Sequence, residues 1–96
     1  RLGNHRLLRF TPASSGSVTI RLTTSNPDPN ADPDFMVYRA GTRVAAATSP
    51  PPQAAETTSL SVTAGSTYII DAYDCANGCS AVEGTAGDYD LTVTIN

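Results

Sequence analysis

The 96-residue chain predicts an all-β protein: an antiparallel β-sandwich, jelly-roll-like, of about seven to eight strands. Three features carry that expectation. Apolar residues recur at every second position in segment after segment, the period of a strand with one face in a core and one in water. Gly, Pro or Asn punctuates these segments at short intervals. No stretch of ordinary helix length shows the 3.6-residue apolar period. A single domain over residues 1–96 follows, since a chain of this size supports one core.

The first expected strand is His5-Arg6-Leu7-Leu8-Arg9-Phe10-Thr11, an apolar run closed by Pro12 and followed by the turn residues Ser14-Ser15-Gly16. Ser17-Val18-Thr19-Ile20-Arg21-Leu22-Thr23 alternates cleanly, which points Val18, Ile20 and Leu22 inward. The stretch from Ser25 to Asp34 holds three prolines and three aspartates and reads as a loop, because proline cannot donate to a ladder. Phe35-Met36-Val37-Tyr38-Arg39 is the third strand, with Phe35 and Val37 inward, and Ala40-Gly41 turns the chain into Thr42-Arg43-Val44-Ala45-Ala46-Ala47 as its hairpin partner. The alanines favour helix, but three residues ahead of Pro50-Pro51-Pro52 are too few to hold one.

The proline triplet reads as a polyproline crossover. Thr57-Thr58-Ser59-Leu60-Ser61-Val62-Thr63 alternates again, and Ala64-Gly65-Ser66 leads into Thr67-Tyr68-Ile69-Ile70-Asp71-Ala72-Tyr73, the most β-prone segment and the expected central strand. The last strand is Gly87 to Ile95, in which Tyr89, Leu91, Val93 and Ile95 alternate with Asp88, Asp90, Thr92 and Thr94 and are expected to face the core.

Composition narrows the function. A net charge of -3, with six Arg spread thinly and no Lys, offers no basic stripe for phosphates, so nucleic acid is not an expected partner. No run approaches the roughly 20 apolar residues a membrane span requires, and no basic-then-apolar leader is present, so the expectation is a soluble piece of a larger protein with no membrane partner. The low charged content of 16% beside abundant Ser and Thr suits an extracellular β module.

Cys75 and Cys79 flank Asn77-Gly78, a strong turn signal that brings their Cα atoms within bridging range. A small disulfide that clamps one loop in an oxidising compartment is expected. So short a ring stabilises by only about 2 kcal/mol, which makes it a local clamp.

The loop Asp28-Pro29-Asn30-Ala31-Asp32-Pro33-Asp34 places an oxygen-bearing side chain at every second position. Such spacing lets a bent loop bring carboxylates onto a hard cation, and calcium, with its many oxygen ligands and loose geometry, is the natural one. Asp28, Asn30, Asp32 and Asp34 are therefore the candidate calcium ligands, against a solvated acidic crossover as the plain alternative. The loop is not an EF-hand, since Pro33 stands where the turn glycine is required and Arg39 where the bidentate Glu belongs. A second acidic group, Asp71, Asp74, Glu83, Asp88 and Asp90, straddles the last two strands; Asp88 and Asp90 read as solvated surface, while Asp74 and Glu83 flank the Cys loop, where they either bind a cation or face water.

For catalysis the inventory is poor. His5, the one histidine, has no identifiable nucleophile partner, and no Ser sits in a Gly-x-Ser-x-Gly elbow. The domain is expected not to be an enzyme. With Phe35 and Val37 inward, Met36 and Tyr38 point outward, as do Ile69 and Tyr73 on the central strand. That makes Tyr38 and Tyr73 candidate anchors of a binding surface, or else the cover beneath another domain.

The order of these motifs resembles the bacterial pre-peptidase C-terminal domain, a β-sandwich appended to secreted proteases and other exported hydrolases. The matching stretches are Leu8-Arg9-Phe10-Thr11 with Gly16 to Ile20, then Asp32-Pro33-Asp34-Phe35-Met36-Val37-Tyr38 with Gly41, then Ala64-Gly65-Ser66-Thr67-Tyr68-Ile69-Ile70 and Gly87 to Val93. The resemblance implies Asp32 and Asp34 as the best-matched cation ligands, and collagenase relatives use related modules to bind collagen. The chain departs from the calcium-binding members in the basic run Arg1 to Arg6, where they carry acidic residues, and the Cys75 to Cys79 insertion is no general feature of the family. The expected function is a non-catalytic accessory domain of a secreted bacterial hydrolase, a peptidase first, that aids export, stability or substrate positioning beside its parent catalytic domain. A binding module for collagen or a polysaccharide is the second expectation, and an adhesion or structural module the third.

Overall fold

A computed structural model of the chain describes residues 5–24, 32–48, 55–74 and 89–96. Among them lie seven strands and no helix: β1 (Arg6–Phe10), β2 (Gly16–Thr24), β3 (Pro33–Arg39), β4 (Thr42–Ala47), β5 (Ala55–Val62), β6 (Tyr68–Asp74) and β7 (Tyr89–Ile95). All pairings are antiparallel. The strands form a four-stranded sheet of order β1-β6-β3-β4 and a three-stranded sheet of order β5-β2-β7, packed face to face. The expected β-sandwich and its seven strands are present, and β6 is indeed central, flanked by β1 and β3. No helix of the described residues is long and apolar enough to cross a membrane.

The period-two segments land as their patterns require. Val18, Ile20 and Leu22 from β2 meet Phe35 and Val37 from β3 and Tyr68, Ile70 and Ala72 from β6 in one core, closed by Ala47 and Val62. Each fully buried Val, Ile or Phe side chain in such a core contributes about 1.5–3 kcal/mol. Phe10 on β1 stacks on Tyr68 with ring centroids 5.3 Å apart. Tyr68 also satisfies its buried hydroxyl, which accepts the Thr63 N–H at 2.9 Å. The β3–β4 turn uses Ala40 and Gly41, both at positive φ (50° and 80°). That is the backbone a two-residue hairpin turn demands, and glycine adopts it without strain.

Two expectations change. Asp34 and Pro33 belong to β3, not to the preceding loop; proline is tolerated there because it is the first residue of the strand and its missing N–H breaks no interior ladder. The second change concerns β7. Val93 and Ile95 pair with the buried Ile20 and Val18 and so share their inward face, yet they are 36% and 73% exposed. The pattern identifies the face correctly, but nothing among the described residues lies over it. β4 and β5 pack together across the sandwich and close one side, whereas β1 and β7, on the other side, make little or no contact.

Candidate functional site

One charged cluster is built into this frame. Asp32 precedes β3 and Asp34 is its second residue, while Glu56 is the second residue of β5, in the opposite sheet. All three are nearly inaccessible, at 2%, 3% and 5% exposure, and one carboxylate oxygen from each lies within 4.8 Å of the others. Carboxylates that close, in a place water does not reach, repel one another and lose hydration. Such a group becomes stable when protons or a cation offset the charge.

The donor set is oxygen only, with no imidazole or thiolate, which suits a hard cation and not zinc. Among the described residues no hydrogen bond reaches Oδ1 of Asp32 or Oδ1 of Asp34, although both atoms are buried. These oxygens fit a cation, and calcium accepts the irregular geometry that residues from two sheets would impose.

Asp32 and Asp34, both expected as ligands from the sequence, are thus brought together. Asp28 and Asn30 lie outside the described residues, as do Cys75, Cys79 and Glu83. Glu56 was missed by reading the acidic loop alone. Its signal was nevertheless present: β5 alternates Glu56, Thr58, Leu60, Val62 on the side that pairs with Leu22, Ile20, Val18 and Gly16, so a glutamate occupies a core-facing phase. A charge in that phase calls for a partner in the interior.

The second candidate is the outer face of the four-stranded sheet. Met36 and Tyr38 on β3 lie opposite Asp71 and Ile69 on β6, and the Tyr38 hydroxyl donates to Met36 Sδ at 3.3 Å. Tyr73 stacks on His5, with centroids 4.8 Å apart and planes 18° from parallel. His5 Nδ1 donates to Asp71 Oδ1 at 2.7 Å. Burial raises the Tyr73 phenol to about 12, helped by the negative fields of Asp34, Asp71, Tyr38 and Asp32. Tyr38, Tyr73, Met36 and Ile69 do share one face, as expected, but each is half-buried rather than open. The single histidine thus ties the residue before β1 to β6.

No protein-family model matches the chain, and no curated protein matches it. Solved structures do. The pre-peptidase C-terminal domain of a collagenase from Bacillus anthracis superposes with a TM-score of 0.69 over 98% of this chain and 80% of its own, at 12% sequence identity. A family 35 carbohydrate binding module from an environmental isolate superposes with a TM-score of 0.53 over 96% of this chain and 69% of its own, at 14% identity. The fold read from motif order is therefore the fold the chain adopts: it is built as the β-sandwich of the pre-peptidase C-terminal domain.

Proposed function

We propose that the chain is a non-catalytic accessory module of a secreted bacterial hydrolase, a peptidase in the first instance, and that calcium held by Asp32, Asp34 and Glu56 ties its two sheets together. The observation that carries the calcium reading is the buried meeting of carboxylates from both sheets within 4.8 Å. When bound, the ion would supply charge compensation and a cross-link between β3 and β5, not chemistry. The accessory role is supported by the likeness to a collagenase-borne domain and to a carbohydrate binding module. A ligand of the native state must stabilise that state. Calcium titrated into chelator-treated protein is expected to raise its melting temperature, and Glu56→Gln to abolish the rise; an unchanged melting curve at millimolar calcium sinks the reading.

A second reading rests on the outer face, where Tyr38, Tyr73 and His5 line up along β3, β6 and the residue before β1. Aromatic rings beside hydrogen-bonding groups suit a polymer such as collagen or a polysaccharide. Retention on collagen, chitin or cellulose, lost in the Tyr38→Ala, Tyr73→Ala double variant, is the expected result if this face targets the parent enzyme. Failure to bind any of the three leaves the accessory role alone.

A further inference from the structure

The outer face of the four-stranded sheet carries two cations in one line. Arg9 on β1 pairs with Ile69 on β6, Ile69 pairs with Tyr38 on β3, and Tyr38 pairs with Arg43 on β4. Directly opposed residues point to the same side of a sheet, and Ile69 lies on the side away from the buried Ile70. The four side chains therefore form one row across the whole sheet, with a guanidinium at each end. Three strand spacings separate the two arginine Cα atoms, about 14 Å.

Arg43 owes its place to an irregularity. The β3–β4 register shifts between Val37 and Tyr38; regular pairing carried on from Val37 and Ala45 would set Val44 beside Tyr38 and Arg43 opposite Arg39. The extra residue in β4 is a β-bulge, which re-aims the side chains that follow it, and here it brings Arg43 into line with Arg9. Both arginines are exposed, while Ile69 and Tyr38 between them are half-buried. Among the described residues no carboxylate pairs with either arginine. Asp71, in the next row of this face, is bonded by His5. On the other side of the row the face continues with neutral groups, the Thr11 and Thr67 hydroxyls at 3.0 Å from one another.

An unpaired guanidinium is a fork of donors that fits a carboxylate through two parallel bonds. Two of them this far apart, with a ring and an aliphatic side chain between, suit an extended chain with acids at intervals better than one compact anion. The Tyr38 ring offers an apolar surface with a polar rim, which suits a sugar. A phosphate polymer or an anionic membrane calls for more cations than two, on a chain whose net charge is -3.

We propose that this row binds an acidic polysaccharide, laid across the strands with its uronate carboxylates on Arg9 and Arg43 and a sugar ring over Tyr38. The inference rests on the polymer-binding reading of the outer face and deepens it by naming the charge class of the polymer.

Isothermal titration calorimetry with short oligogalacturonates tests it, in buffer without added calcium, which carboxylates themselves bind. The acid form is expected to bind, and methyl-esterified oligomers of the same length are not. Arg9→Gln and Arg43→Gln should each weaken binding about two- to fivefold, the size of an exposed ion pair, and the double variant about tenfold, since distant sites add. Arg21→Gln, which removes the same charge from β2 in the other sheet, should leave binding unchanged. No heat at millimolar acid oligomer, equal binding of the esters, an equal loss in Arg21→Gln, or tighter binding of single-stranded DNA would overturn the proposal. Retention on cellulose or chitin that needs Tyr38 and Tyr73 but survives loss of both arginines, without oligogalacturonate binding, would leave the polymer reading standing and remove this one.

Discussion

Val62 on β5 and Ile95 on β7 sit in the same three-stranded sheet and on its same inward face, yet one is buried and the other is among the most exposed apolar residues described. Among the described residues the difference is what stands opposite: β5 has β4 across from it, while β7 has no strand packed on it to the same extent. Alternation in a sequence therefore reports the face of a residue, and the opposing layer decides whether that face is covered. The buried carboxylates belong to β5 and to the start of β3, and the exposed Val93 and Ile95 to β7.

The comparison is broken most severely from the shared core. Ile20, fully buried in β2, is expected to lose about 2–5 kcal/mol on substitution to Ala, from lost transfer energy plus the cavity left behind. Urea unfolding measures this, and a loss below about 1 kcal/mol would mean that the inward face of β2 is no better covered than that of β7. The next effect belongs to the closed side. At a calcium concentration a hundred times the dissociation constant, binding stabilises by about 2.7 kcal/mol, or roughly 10–20 °C in a chain of this size. Glu56→Gln should remove that gain, and a variant that keeps the full calcium-dependent rise in melting temperature would count against Glu56 as a ligand.

Much of this was legible in the residues. The phases of β2, β3 and β6 follow from strict alternation and fix Val18, Ile20, Leu22, Phe35, Val37, Tyr68, Ile70 and Ala72 inside. Asp32 and Asp34 stand out because they share one acidic loop. Glu56 does not, since its partners are brought to it by the packing of two sheets, and that proximity has no trace in local spacing. The exposure of Val93 and Ile95 was hidden for the same reason: it depends on what the opposite layer sets over them, which no single strand encodes.

A smaller effect separates the outer face from both sides. The Tyr73 phenol ionises at about 12 in the folded chain against an ordinary 10.0. Between those values the unfolded chain releases a proton that the folded chain keeps, so the unfolded state binds fewer protons and stability falls as pH rises. The contribution is intact below pH 10 and spent above about 12. Tyrosinate absorbance should show a late-titrating component that Tyr73→Phe removes, and that variant should lose stability less steeply across the window. An absorbance titration unchanged by Tyr73→Phe at pH 11–12 would contradict the sheltered setting of Tyr73.

The smallest effect is the most discriminating. Ile95→Ala removes as much side chain as Ile20→Ala, from the neighbouring strand and the same face, yet it is expected to change stability by no more than about 0.5 kcal/mol, because an exposed side chain has little burial to lose. Urea unfolding measures it, and a cost above about 1 kcal/mol would show that another part of the chain covers Ile95, so that the comparison with Ile20 would fall.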